Sequence, residues 1–413
     1  MEKQRTILHS DMNSFYASVE MMLNPTLKGK AVAVCGSTED RHGIVLAKSD
    51  LAKKAGVKTG MVNWEAQQRC PGLIIVPPQY DQYLKYSKLA HQIYARYTNL
   101  VEPYGMDEVW LDVTDSGIYG TGLEIAEQIR QATKDELGLT VSIGVSFSKI
   151  FAKLGSDMKK PDAITVIPKE TFKEQVWPLD VSDLLYVGRA TTAKLTQYGI
   201  HTIGQLAATS PDALQRWFGV NGLKLWRFAN GKDESRVMPM DFVSPVKSIG
   251  HGITCNADLV NPEEVFRVML ELSQDVGHRL RVHELSAQGV QVSVRGNDLF
   301  SSQYQCKLPV RTQLPSEIAN AGFDLFRQRY PWSTPVRAVT IRAIDLVSQR
   351  EADQLSMFID NERRDRRIRL EDSVEDIRRR FGKKALTYAA IMGDLKMPID
   401  GRDTVRMPSQ MYQ

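Results

Sequence analysis

Three acids carry the most specific chemistry in this 413-residue sequence. Asp11 closes a short strand-like run, Thr6 to Ser10, and is followed by a polar Asn13-Ser14 break and then by Phe15, Val19 and Met22 at i, i+4 and i+7. That spacing is one face of a helix, with Ser14 or Asn13 placed to cap it. A carboxylate thus stands at a strand-to-helix turn, beside N–H groups that favour phosphate. Far along the chain, Asp107 and Glu108 sit side by side in a glycine turn that leads into the alternating strand Val109, Leu111, Val113. Hard cations such as Mg²⁺ take oxygen ligands, usually one or two carboxylates plus substrate phosphates. Asp11, Asp107 and Glu108 would suit a pair of ions at an in-line phosphoryl transfer. The plain alternative is that strand-end acids only solvate their turns.

The surrounding elements read as α+β and multidomain. The length exceeds one ordinary core and implies two to four domains. Hydrophobic and charged contents of 42% and 25% are those of a soluble globular protein, with no run apolar enough to cross a bilayer. The N-terminus leads straight into the first strand, so a cytoplasmic protein without a signal peptide is expected. Cys35, Cys70, Cys255 and Cys306 lack metal-ligand spacing and are expected to be reduced and structural. A net charge of +4 is mild, so any nucleic-acid binding must come from local patches. A long helix from Gln79, the Asp107 hairpin, a helix over Gly122 to Leu137 and a strand over Thr140 to Val145 give a β-α-β-β-α-β order, the ferredoxin-like arrangement. Asn261-Pro262 opens an amphipathic helix through Leu280. Val290, Val292 and Val294 alternate with polar residues, as do Val339 and Ile341.

The stretch from Asp11 to Glu20 resembles the first motif of the Y-family, or translesion, DNA polymerases, and Gly105 to Glu108 resembles the second. Ser142 to Pro161 is similar to the strand-then-helix segment before the family's Lys-Pro. The three occur in order, and the resemblance runs through nearly the whole chain, closest to the bacterial polymerase IV (DinB) and UmuC branches. It implies a right-hand polymerase: palm (1–27 and 79–167), small fingers (28–78), a helix-hairpin-helix thumb (168–232), a linker (233–246), a C-terminal α/β little finger (247–350) and a tail (351–413). It implies two-metal nucleotidyl transfer from a deoxynucleoside triphosphate to a primer 3′-hydroxyl, past damaged bases and without proofreading. The metal ligands would be Asp11, the Met12 carbonyl, Asp107 and Glu108, holding two Mg²⁺ ions.

The resemblance also implies nucleotide contacts from Asn13, Ser14, Phe15, Tyr16, Lys53 and Lys160. Tyr16 would lie under the sugar and exclude a ribose 2′-hydroxyl; a core tyrosine is the alternative. Asp50 and Lys53 stand where polymerase IV has Tyr and Arg, Ala47 replaces a Thr, and Gly105 replaces a Ser. Leu184 to Leu195 reads as helix, glycine hairpin and helix, with Gly188 and Arg189 as phosphate contacts. Arg295 and Arg342 lie on a polar sheet face that can follow a DNA backbone or simply face solvent. Gln354-Leu355-Ser356-Met357-Phe358 resembles the peptide by which bacterial polymerases hold the sliding clamp. The arginine-rich run beyond it is a solvated face, with non-specific DNA attraction as the sharper option. Primer-template DNA, the triphosphate and the clamp are the expected partners of a monomer. The rival from another class is a catalytically silent, clamp-tethered DNA-binding protein.

Overall fold

The structure, a computed structural model, describes residues 4–351, 360–383 and 385–398. The described chain divides into two compact units, one running to residue 36 and over 44–243, the other taking 37–43 and the residues from 244 on. The loop 37–43, expected within the fingers, groups with the second unit.

The first unit begins with β1 (Ile7–Met12) and α1 (Phe15–Leu23). A small parallel and antiparallel sheet follows, from β2 (Val32–Cys35), β3 (Val45–Lys48) and β4 (Ile74–Val76), with α2 (Asp50–Lys54) and α3 (Asn63–Arg69). Its own core holds Ala33, Val45, Ala52 and Val57. Then come α4 (Tyr80–Tyr94), β5 (Val101–Pro103), β6 (Glu108–Asp112), α5 (Gly122–Leu137), β7 (Val141–Ser146), α6 (Lys149–Met158) and β8 (Ile164–Ile167). The five long-range strands order as β5-β6-β1-β7-β8, with β1 antiparallel to both neighbours. Every residue of β1 is buried, because helices cover both faces of the sheet. α5 starts and stops where its sequence says: Thr121 and Glu124 form a capping box, and Gly138 at φ 64° ends it.

Helices α7 (Phe172–Val176), α8 (Arg189–Gln197), α9 (Ile203–Ala208), α10 (Pro211–Phe218) and α11 (Val220–Ala229) share a core that also takes Phe151 and Leu154 of α6. The expected first helix of the hairpin is only a 3₁₀ turn over Val181–Asp183. Leu184 to Gly188 then runs as a loop, with Tyr186 at φ 72°. The stretch 233–246, expected as a linker, has no helix or strand, but its first half is not free. Val237 is buried with Ile7, Trp110 and Ala152, and Met238 N–H donates to Glu102 at 2.9 Å.

The second unit holds β9 (Ile249–Leu259), α12 (Pro262–Val282), β10 (Leu285–Gly296), β11 (Ser301–Thr312), α13 (Pro315–Arg329), β12 (Val336–Ser348) and α14 (Asn361–Phe381). The strands order as β11-β10-β12-β9, all antiparallel. Val290, Val292, Val294, Val339 and Ile341 point into the core with residues of α12 and α13, as their alternation requires. The charged helix α14 is not simply solvated: Arg364 pairs with Glu317 at 3.3 Å and Glu375 with His278. Cys35, Cys70 and Cys255 are buried free thiols, and Cys306 is half-buried. Among the described residues no helix is long and apolar enough to cross a membrane.

Candidate active site

Period-two alternation of the central strands builds the site. In register, Asp11 faces Glu108 and His9 faces Trp110 across β1 and β6, while Ser142 and Gly144 take the same positions on β7. These side chains therefore share one face of the sheet. Met12 N–H donates to the Asp107 carbonyl at 2.9 Å, which closes the turn that carries Asp107 against the end of β1. Asp11 and Glu108 thus stand opposite one another, with Asp107 next to them at the end of β1.

Helix α6 covers that face at close range. A Cβ on Gly144 would lie 1.9 Å from the Ala152 carbonyl oxygen, and one on Gly155 would lie 3.2 Å from the Gly144 Cα. Two glycines let the helix sit on the strand, and Trp110 Nε1 fixes its first turn by donating to the Lys149 carbonyl at 2.9 Å. This seating delivers Lys153, whose ammonium lies 3.2 Å from Asp11, 2.9 Å from Glu108 and 3.2 Å from Asp157. Lys160, in the loop that follows, reaches Asp11 at 2.8 Å and Asp157 at 2.9 Å. The loop is anchored by Asp162, which pairs with Arg130 at 2.8 Å and Lys134 at 3.1 Å and donates its N–H to Asn13 Oδ1.

The electrostatics are those of acids crowded at a buried strand end. Burial, then the charges of Asp11 and Glu108, push Asp107 up to about 7. Burial also raises Asp11, outweighing the pull of Lys160 and Lys153. Glu108 goes the other way: burial works against its charge, but the His9 imidazole and the Lys153 ammonium win and hold it down at about 2. Burial lowers His9 despite the neighbouring carboxylates. Its Nδ1 lies 2.8 Å from Ser156 Oγ and its Nε2 3.4 Å from Glu108 Oε2. Both lysines stay charged, because the acids outweigh the burial that opposes them.

The donor set fits a hard divalent cation. All candidate ligands are oxygens, and Asp107 is raised by burial first and then by the like charges of Asp11 and Glu108, which a cation would relieve. Glu108 Oε2 is buried with lysine and histidine nitrogens nearby but has no aligned hydrogen bond. Among the described residues no group of three or more acid, histidine or cysteine side chains is already placed to hold a metal ion. Asp11, Asp107, Glu108 and the Met12 carbonyl are the groups that could hold such an ion.

The other expected residues divide. Tyr16 stacks on Tyr83 with ring centres 4.2 Å apart, and its hydroxyl donates to Met106 sulfur at 3.2 Å. Tyr83 is itself fixed by donating to buried Glu20. Phe15 is a core residue, so only its backbone is available to a ligand. Asn13 is buried and spends its amide on Ser142 Oγ and Asp162 N–H, so its side chain does not cap α1. Ser14 does not cap α1 through its side chain either. It stands at φ 48°, and its hydroxyl lies 3.5 Å from Asp50. Lys53 is exposed on α2 near Lys48, whose ammonium donates to Thr59 at 2.9 Å and is lowered by burial and then by Lys53.

Gly188 is the N-cap of α8, exposed and with open space where a Cβ would be; Arg189 follows it into solvent. Arg295 and Arg342 are exposed on the sheet face of the second unit that lies opposite its core. Gln354 to Phe358 lie outside the described residues. Lys153, Ser156 and Asp157 lie inside the Ser142–Pro161 motif, but the sequence gives neither them nor His9 a role, because only the tertiary seating of α6 brings them to the acids.

The impB/mucB/samB family model matches residues 10–157, its C-terminal domain residues 246–357, and a DNA polymerase-iota thumb domain residues 182–233. The chain is 47% identical to "DNA polymerase IV" of Acetivibrio thermocellus, over 95% of this chain and 98% of that one. It is 38% identical to "DNA polymerase IV 1" of Bacillus subtilis, over 94% of each. A solved Y-family DNA polymerase chimera, Dbh-Dpo4(243-245)-Dbh, shares the fold with a TM-score of 0.74 at 23% identity, covering 83% of this chain and 99% of that one. The chain belongs to the impB/mucB/samB family and is an enzyme, a Y-family DNA polymerase of the polymerase IV type.

Proposed function

We propose that this polymerase copies primer-template DNA past damaged bases, joining deoxynucleoside triphosphates to a primer 3′-hydroxyl without proofreading. The observation that carries this is the register pairing of Asp11 with Glu108, with Asp107 beside them under mutual repulsion. Enzymes of this family are metal-dependent nucleotidyltransferases. In this reading the metal is Mg²⁺, two ions, held by Asp11, the Met12 carbonyl, Asp107 and Glu108. When bound, it supplies Lewis acidity to the primer hydroxyl and neutralises charge on the phosphates.

The protein's own side chains position and select. Asp107 must be ionised to act as a ligand. Lys160 and Lys53 offer point charges to the triphosphate, and the first N–H groups of α1, at Ser14 and Phe15, favour phosphate. Asn13 contributes by holding the loop that carries Lys160. The Tyr16 ring, backed by Tyr83, presents a rigid wall to the sugar. Gly188, Arg189, Arg295 and Arg342 contact DNA phosphates, which sets position without reading sequence. Gln354 to Phe358 tether a monomeric enzyme to the sliding clamp, and it acts in the cytoplasm. Primer extension across an abasic template site tests the reading. Extension past the site is expected, and a chain that binds primer-template without extending it would favour the catalytically silent alternative.

A further inference from the structure

We infer that Lys153 is a positioning residue, a resident cation that keeps Asp11 and Glu108 assembled before the divalent ion arrives and competes with that ion for the same oxygens. This rests on the metal reading of the acid site given above.

Two like charges directly opposite on neighbouring strands repel, and at a buried strand end they need a counter-charge. Lys153 supplies it. Its side chain is 12% exposed, against 8% for Asp11, and its ammonium touches both acids. The backbone of α6 lies at contact with β7, where Gly144 and Gly155 leave room for it and no nearer approach is possible. The lysine stem is flexible even so, and Asp157, one turn further along α6, already accepts the same ammonium at 3.2 Å. Asp157 is 47% exposed and belongs to no strand. When a divalent ion takes Asp11 and Glu108, the ammonium can therefore move fully onto Asp157 without leaving a buried charge unpaired. Lys160 also bridges Asp11 and Asp157, but it sits in the loop, is more exposed, and is the residue with a triphosphate to meet. Lys153 has no such second task.

The inference gives opposite signs for two substitutions. Lys153→Met removes the competitor, so the full chain should bind Mn²⁺ about tenfold more tightly while its metal-free form melts several degrees lower. Asp157→Asn removes the alternative acceptor, so Mn²⁺ should bind several-fold more weakly, and this loss should shrink in the Lys153→Met background. Mn²⁺ titration followed by electron paramagnetic resonance reads both without turnover, and Lys153→Arg, which keeps the charge, should bind Mn²⁺ close to wild type. A lysine that only packs would lower the melting temperature without tightening Mn²⁺, and that result overturns the inference. If Lys153→Met does not fold, unchanged Mn²⁺ affinity in Asp157→Asn overturns it equally. Asp107→Ala separates the two readings. Its loss of Mn²⁺ binding upholds the metal site whatever Lys153 does, whereas unchanged binding removes the metal site and this inference together.

Discussion

Asp11 and Glu108 face one another in register across the two central strands, on the side of the sheet that α6 covers. Each carboxylate is in reach of the Lys153 ammonium, and their opposite shifts follow from what else surrounds them. Burial dominates at Asp11, whereas His9 and Lys153 overcome burial at Glu108. One site thus holds Glu108, held down at about 2, beside Asp107, pushed up to about 7.

This gives a pH dependence with a definite sign. Asp107 is raised to about 7 by burial and by its two acidic neighbours, so below that pH it carries a proton that a metal ion must displace. The metal requirement should rise by about tenfold for each pH unit below 7 and level off above it. Because the folded protein holds this proton more tightly than the unfolded chain, the Asp107 contribution to metal-free stability falls as pH rises from about 4 to 7, and added metal should offset that loss. Mg²⁺ titrations of primer extension between pH 6 and 8, run with melting curves, check both signs.

Gly105 offers a way to move that profile. A Cβ there would lie 3.4 Å from Asp107 Oδ1, an ordinary contact, so Gly105→Ser fits. Its hydroxyl can donate to the carboxylate and favour the charged form. The pH dependence of Gly105→Ser should shift to lower pH by about half a unit to one unit, read from the same titration. A shift to higher pH would contradict the placement of Asp107.

The seat of α6 should be intolerant of volume. Gly144→Ala puts a methyl 1.9 Å from the Ala152 carbonyl oxygen and 2.6 Å from Ser156 N, both backbone atoms that cannot turn aside. Relief requires the helix to lift, which withdraws Lys153 from the acids. We expect a loss of about 3 kcal/mol or more in urea denaturation, whereas Gly188→Ala, with open space at its Cβ, should unfold within about 1 kcal/mol of wild type.

Tyr16 and Tyr83 form the stacked pair behind the proposed sugar site. Tyr16→Ala removes the outer ring and should admit ribonucleotides in a primer-extension assay, with discrimination falling by about 10²-fold or more. Tyr83→Phe keeps the stack but strips buried Glu20 of a donor, so it should cost about 1 to 3 kcal/mol of stability with sugar selection intact.

How much of this was legible in the sequence depends on whether a feature is local. Helix α5 runs over Gly122–Leu137 as expected, because Thr121, Glu124 and Gly138 mark its ends within the segment itself. Asp11, Asp107 and Glu108 were marked by strand-end position and glycine turns. Ser14 was misjudged as a side-chain cap because its left-handed backbone turns the hydroxyl away, which no composition rule signals. The sequence gives no sign that the Asn13 amide joins β7 to the loop before β8, both distant along the chain. The first thumb helix shrank to a 3₁₀ turn because Asp180 caps only three residues before Leu184 returns to extended backbone. Lys153 and Asp157 stand in the Ser142–Pro161 motif without a role of their own, and only the glycine contact between α6 and β7 brings them to the acids.

The most direct test of the central claim is single-nucleotide primer extension by the full chain with Mg²⁺, wild type against Asp107→Ala, with primer-template binding measured in parallel. Removing this proposed metal ligand should cut the rate by about 10³-fold or more while DNA binding stays within a few-fold. Extension by Asp107→Ala at a rate close to wild type would contradict the assignment of these acids.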